Sequence, residues 1–134
     1  MFVHRLTIQL ADTDAYSILF FPNQLRFCQV VFQAWLASVG LPLPIDRARA
    51  EFLCVVVRAE ADYEAPINVG DELTCAYSAA RVGATSFTNA IRFTNQRGEP
   101  VGQARVVYVV IDPRTSAKMT IPPRLRSGLE AIAG

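Results

Sequence analysis

Pro22-Asn-Gln-Leu-Arg-Phe-Cys-Gln-Val-Val-Phe-Gln-Ala-Trp-Leu-Ala-Ser38 is the stretch that decides the architecture. Leu25, Cys28, Phe32, Trp35, Leu36 and Val39 recur at i, i+3, i+4 and i+7, the spacing of one helical face. Pro22 suits the first helical turn, where a missing N–H costs nothing, and Gly40 suits the stop. The polar residues shrink to a thin stripe, Arg26, Gln29 and Gln33, while Phe27, Val30, Val31 and Ala34 fill the other sides. A helix apolar almost all round is expected to be buried almost all round. The rest of the chain must wrap it.

Five segments qualify as the wrapper. Residues 2–10 are rich in β-formers and precede a turn-like Ala-Asp-Thr-Asp-Ala-Tyr-Ser at 11–17. In residues 53–64, Val55, Val57, Ala59, Ala61 and Tyr63 alternate with Arg58, Glu60, Asp62 and Glu64, a strand with one wet face. Residues 73–80 and 87–94 alternate in the same way, and residues 103–111 end in Val-Val-Tyr-Val-Val-Ile, a run expected to be buried on both faces. Turn chemistry separates them at 66–71, 82–84 and 95–98. Pro122-Pro123 opens a short amphipathic helix carrying Leu125, Leu129 and Ile132. Short links between strands favour antiparallel pairing. The expected architecture is α+β, one long helix embedded in a curved antiparallel sheet.

Composition narrows the chemistry. The 134 residues fit one domain, 1–134, at about 150 residues per domain. Apolar residues make up 51% and charged residues 19% of the chain, so a self-association surface is expected. A net charge of +1 supplies no field for gripping nucleic acid. The single histidine, His4, stands at the N-terminus, which disfavours Ser–His and Cys–His hydrolases. Cys28, Cys54 and Cys75 are odd in number and lack CxxC spacing, so neither a metal site nor a disulfide framework is expected. No GxGxxG or GxxxxGK[ST] pattern occurs, so no nucleotide cofactor is expected. The longest apolar runs fall far short of the roughly 18 residues of a membrane span, and the N-terminus lacks a signal-peptide layout. The expectation is a soluble, cytoplasmic protein with no membrane partner.

Carboxylates remain. Asp12 and Asp14 share the turn before the helix, too close together to work as a pair across a substrate. Unpaired N–H groups at a helix start would receive an oxyanion, and a carboxylate nearby would supply a nucleophile or a base for water. The bland alternative is that both are turn and cap residues. Spacing alone leaves both readings open.

Leu10-Ala-Asp-Thr-Asp-Ala-Tyr-Ser-Ile-Leu-Phe-Phe-Pro-Asn23 resembles the signature of the hotdog-fold thioesterases of the 4-hydroxybenzoyl-CoA thioesterase family, roughly D-x-D-x-x-G followed by apolar residues, an aromatic and Asn. Tyr63-Glu-Ala-Pro-Ile-Asn-Val-Gly-Asp-Glu-Leu73 resembles that family's second landmark, Y-x-x-P-x-x-x-G-D-x-L. The resemblance implies a hotdog fold, a five-stranded antiparallel sheet around one central helix, and hydrolysis of an acyl-CoA. It casts Asp14 as the catalytic carboxylate, nucleophile or general base, and the Phe21 backbone N–H as the oxyanion donor. Asp12 becomes a turn-stabilising partner and Asn23 an orienting residue at the helix start. Family members are homodimers or homotetramers with the site at the interface. Residues 10–40 look closest to 1,4-dihydroxy-2-naphthoyl-CoA thioesterases.

The expected acyl-binding set is Tyr16, Ser17, Phe20, Asn23, Gln24, Phe27 and Val57. The expected CoA contacts are Arg81, Thr85 and Ser86, with Arg114, Lys118, Arg124 and Arg126 as further cations. Two departures stand out. Ser17 occupies the family's Gly position, a cost on the order of a kcal/mol if the backbone there needs positive φ. The cluster at 81–86 carries less charge than usual for a phosphate clamp, which also suits the alternative of an acyl-carrier-protein thioesterase. A non-catalytic acyl-binding hotdog protein is the third reading.

Overall fold

The structure, a computed structural model, describes residues 1–43 and 46–134. Its elements run β1 (Phe2–Thr7), α1 (Asn23–Ser38), β2 (Leu53–Tyr63), β3 (Glu72–Val82), β4 (Ser86–Thr94), β5 (Pro100–Ile111) and α2 (Pro123–Ala131). The strands form one five-stranded antiparallel sheet in the order β1-β3-β4-β5-β2. The chain leaves β1 at one edge, passes through α1 and re-enters as β2 at the other edge. This is the expected hotdog arrangement of a sheet about one long helix. No helix among the described residues is long and apolar enough to cross a membrane.

Local chemistry sets the ends of α1. Pro22 lies just ahead of the first helical residue with φ −65°, and its carbonyl accepts the N–H groups of Leu25 and Arg26. At the other end Gly40 takes φ +75°, while Gly40 N–H donates to Ala37 and Leu41 N–H to Leu36. These two bonds are the Schellman closure that glycine permits without strain.

Between these ends, Phe27, Cys28, Val31, Phe32, Trp35 and Leu36 face the sheet. Phe32 stacks on Tyr108 at 4.5 Å between centroids, and Tyr108 stacks on Phe87 at 5.1 Å. Arg26, Gln29, Val30, Gln33 and Ala37 are exposed, so α1 is covered on one side only within the protomer. The expectation of all-round burial fails there because the single sheet covers one helical face.

Gln24 and Phe27 are the main surprises. Both were expected in an acyl pocket, yet Gln24 is 0% and Phe27 3% exposed. They share the i, i+3, i+4, i+7 stripe with Cys28 and Val31, which turns them onto the sheet. Gln24 Nε2 donates to the carbonyls of Asp62 (3.0 Å) and Gln103 (3.1 Å), tying the first turn of α1 to β2 and β5 together. Gly102 makes room for it: a Cβ there would stand 2.6 Å from Gln24 Oε1 and 3.0 Å from the Asp62 carbonyl.

β2 and β5 depart from the sequence expectation. A bulge between Val56 and Arg58 interrupts β2. Ahead of it, Cys54 and Val56 stand opposite the buried Val110 and Tyr108; beyond it, Ala59 and Ala61 stand opposite the buried Val106 and Ala104. Val57 is therefore the inserted residue and leaves the alternating series in which it was expected. In β5, Val106, Tyr108 and Val110 are buried, while Val107, Val109 and Ile111 are only half-buried. That strand has one inner and one outer face rather than two dry ones.

Cys28 and Cys75 are buried, Cys54 is half-buried, and all three are free. Burial pushes each thiol up from an ordinary 9.0 to about 12. A thiol raised in this way stabilises fully below pH 9 and loses that contribution as pH climbs towards 12. Urea titrations are expected to show stability falling above pH 9, by up to about 1.4 kcal/mol per pH unit for each thiol. A flat profile to pH 11 would contradict the burial. Gly102→Ala is expected to lower stability by about 1–3 kcal/mol, because Gln24 or the β2 backbone must move. An unchanged urea midpoint would show that Gln24 yields freely.

Candidate active site

The site grows from the chain between β1 and α1. A 3-10 turn over Leu10–Asp12 leads into a small hairpin bridged at Thr13 and Leu19, within which Asp14 N–H donates to Ile18 at 2.9 Å. The returning limb is stapled to the β2–β3 connection. Leu19 N–H donates to Ile67 at 2.7 Å, Val69 N–H to Ser17 at 3.2 Å, and Ile18 bridges Asn68. Backbone hydrogen bonds thus join the two stretches that carried the sequence signatures.

Asp12 is the knot. Its side chain is largely buried, with Oδ2 accepting Gln9 N–H at 2.8 Å and Oδ1 paired with the Arg26 guanidinium. Its backbone carbonyl accepts both Phe20 N–H (2.9 Å) and Asn23 Nδ2 (2.8 Å). Asn23 Oδ1 in turn accepts Arg26 Nε at 3.1 Å. Asp12 serves structure, and both ends of the Asn23 amide are occupied within the protomer.

Asp14 differs. It is exposed, its Oδ1 accepts Tyr16 N–H at 2.8 Å, and its Oδ2 accepts no hydrogen bond among the described residues. Ser17, three residues on, sits at φ 61°, in the left-handed region where a Cβ is strained. The expected cost at the family's glycine position is therefore present.

At the helix start only one N–H remains open. Asn23, Gln24 and Leu25 N–H groups donate to the carbonyls of Phe20, Phe21 and Pro22 respectively, so the anticipated row of free helix donors is already used. Pro22 has no N–H. The Phe21 N–H donates to no acceptor among the described residues. Phe21 also forms part of the wall of an apolar groove of 380 Å³, with Ile18, Tyr63, Pro66 and Ile67 nearby in the lining. Asp14 lies outside that lining and faces solvent within the protomer. Tyr16, Phe20, Phe21 and Val57 are 82%, 47%, 63% and 59% exposed, an apolar surface on the hairpin and the β2 edge. Tyr63, which went unassigned in the sequence, is part of this site: its hydroxyl donates to the Phe21 carbonyl at 2.8 Å. Its place at the head of the second signature was the available signal.

The expected CoA contacts are divided. Arg81 turns onto the outer face of the sheet, lining a 280 Å³ cavity with Arg58 and Arg105. Thr85, in the β3–β4 turn, and Ser86, the first residue of β4, lie outside that lining. Arg126 is committed at that turn, donating to the Gly83 carbonyl at 2.6 Å. Arg124 lies against Gly40, and Arg114 and Lys118 are exposed. The bulge beside Ala80 and the β-strand pleat separate Arg81 from the Thr85 and Ser86 hydroxyls.

Comparison with known proteins gives this geometry its context. The family model described as the thioesterase-like superfamily matches residues 8–129. A 1,4-dihydroxy-2-naphthoyl-CoA hydrolase from Synechococcus elongatus is 28% identical over 127 residues, covering 94% of this chain and 93% of that protein. The solved structure of a 1,4-dihydroxy-2-naphthoyl-CoA thioesterase from Synechocystis superposes with a TM-score of 0.88 at 23% identity, covering 96% of this chain and 94% of that one. A gentisyl-coenzyme A thioesterase superposes at 0.83 with 22% identity, covering 95% and 98% of the two chains. With the signature stretches joined at one site and the family match spanning both, the chain belongs to the thioesterase-like superfamily.

Proposed function

We propose that the chain hydrolyses an aromatic or otherwise hydrophobic acyl-CoA thioester to the free acid and CoA. The observation that carries this reading is the open N–H of Phe21 on the wall of an apolar groove. A thioester carbonyl seated there would pass its developing negative charge to that donor. Asp14, in the hairpin just ahead of Phe21, attacks the carbonyl carbon or takes a proton from an attacking water. If Asp14 attacks, C–S cleavage leaves an acyl-aspartyl anhydride that water hydrolyses to the free acid and the restored carboxylate. If water attacks, C–S cleavage gives the acid directly. In both cases the proton given up by water ends on the departing thiolate. Tyr16, Ser17, Phe20 and Val57 supply contacts for the acyl group, and Arg81, Thr85 and Ser86 remain the candidates for the CoA moiety. The likeness to the Synechococcus elongatus 1,4-dihydroxy-2-naphthoyl-CoA hydrolase supports a bicyclic or similar aromatic acyl group.

A second copy completes the site on this reading. β2 is an edge strand of 11 residues whose Val56 and Val57 are more than half exposed. An exposed apolar edge of that length is covered in stable proteins, and a homodimer or homotetramer covers it here. The partner then shields Asp14 from bulk water.

Thiol release from a panel of aryl-CoA and fatty-acyl-CoA thioesters tests the reading, with the same acyl groups on acyl carrier protein as a second arm. A large preference for the carrier would move the substrate class. Asp14→Asn is expected to lower turnover about 10²–10⁴-fold with folding intact, and full retention of activity would refute the role. Ser17→Gly is expected to raise unfolding free energy by about 1 kcal/mol by releasing the strained φ. A lower urea midpoint in that variant would show that the Ser17 side chain has a stabilising partner of its own.

A further inference from the structure

Tyr63 ends β2, where the sheet holds it firmly. It stands opposite Gly102 in the ladder, and the two N–H groups that follow it, of Glu64 and Ala65, both donate to the Val101 carbonyl. From this anchored position the hydroxyl reaches the Phe21 carbonyl at 2.8 Å, and the ring meets the Phe21 ring edge-on, 6.4 Å between centroids at 82°. The Phe21 carbonyl has one other donor, Gln24 N–H, at a longer 3.3 Å. Asp62, one residue earlier on β2, receives Gln24 Nε2. Two adjacent β2 residues therefore grip the start of α1, one by its core side and one by its open side.

The grip acts on the right peptide planes. The Phe21 N–H belongs to the plane between Phe20 and Phe21, whose carbonyl is held by Asn23 N–H at 2.9 Å. The next plane, between Phe21 and Pro22, is held by Tyr63. With both planes fixed, φ and ψ of Phe21 are fixed, and so is the direction of its N–H. A preorganised donor is what an oxyanion site needs, because a donor that must reorient during reaction stabilises less. We infer that Tyr63 is a positioning residue for the oxyanion donor, its hydroxyl holding the Phe21–Pro22 peptide so that the Phe21 N–H points into the groove. The inference rests on the proposed thioesterase reading for its consequence in turnover, and on geometry alone for its effect on the Phe21 peptide.

Tyr63→Phe in the full chain removes the hydroxyl and keeps the ring in the groove. In steady-state hydrolysis of an aryl-CoA, kcat is expected to fall about ten- to a hundredfold with KM within about twofold, short of the loss of a whole donor. In the free protein, the Phe21 amide resonance is expected to shift, while the urea midpoint falls only by the loss of one hydrogen bond. An unmoved Phe21 resonance overturns the inference, whatever the activity. A raised KM with kcat preserved also overturns it, since Tyr63 would then be a substrate contact. Unchanged kcat in Tyr63→Phe beside an inactive Asp14→Asn removes the positioning role and leaves the thioesterase reading standing. If the unaltered protein releases no thiol from any thioester, that reading fails instead, and the Phe21 resonance still decides what Tyr63 holds.

Discussion

A carboxylate tucked out of water at the junction of strand and helix holds this structure together. Asp12 is only 8% exposed, and an ion so placed is tolerable only when paired and hydrogen-bonded. Arg26 and the Gln9 N–H meet that need, and they come from opposite sides of the junction. The Asp12 carbonyl then collects Phe20 N–H and the Asn23 amide. One residue thereby fixes the exit of β1, the closure of the hairpin and the entry of α1. Breaking the Arg26 pair would leave the Asp12 carboxylate with the Gln9 N–H as its one remaining hydrogen-bond donor among the described residues.

From that junction outward, the site is made by long-range contacts. Besides its own bonds, the hairpin is held by Ile67, Asn68 and Val69 through backbone hydrogen bonds and a bridge from the far connection. The helix start has a similar dependence. Gln24 reaches through the space left by Gly102 to two strands, and Tyr63 reaches back to Phe21 from the end of one of them. Each tie is worth only about a kcal/mol in isolation. Together they hold the peptide planes on either side of Phe21, whose N–H donates to no acceptor among the described residues.

Much of this was legible in the residues. The period of α1, its glycine stop, the order of elements along the chain and the short strand connections all followed from spacing, because local backbone preferences and side-chain periodicity are properties of short segments. Ser17 was legible too: a residue with a Cβ at a glycine position implied strain, and φ is positive there. The bulge at Val57 was not legible, since nothing in Val-Val-Val-Arg marks which valine is extra until β5 sets the register. Gln24, expected in an acyl pocket, is buried against the sheet instead, because nothing near it in the chain marks the strands it will reach. The carbonyls of Asp62 and Gln103, supplied from 38 and 79 positions away, satisfy its Nε2 in the core, while its Oε1 has no partner among the described residues.

The amino-acid order by itself therefore determined the α+β architecture, the extent of the central helix and the turn at 11–17 that brings Asp14 ahead of the helix start. Those features depend on hydrophobic period, turn residues and proline, which act over a few positions. The tertiary structure alone decided which backbone N–H stays unpaired, which of the helix residues vanish into the core, and that Tyr63 belongs with Phe21. Hydrogen-bond partners are settled by which groups are brought together in space, and here the deciding groups lie tens of residues apart in the chain.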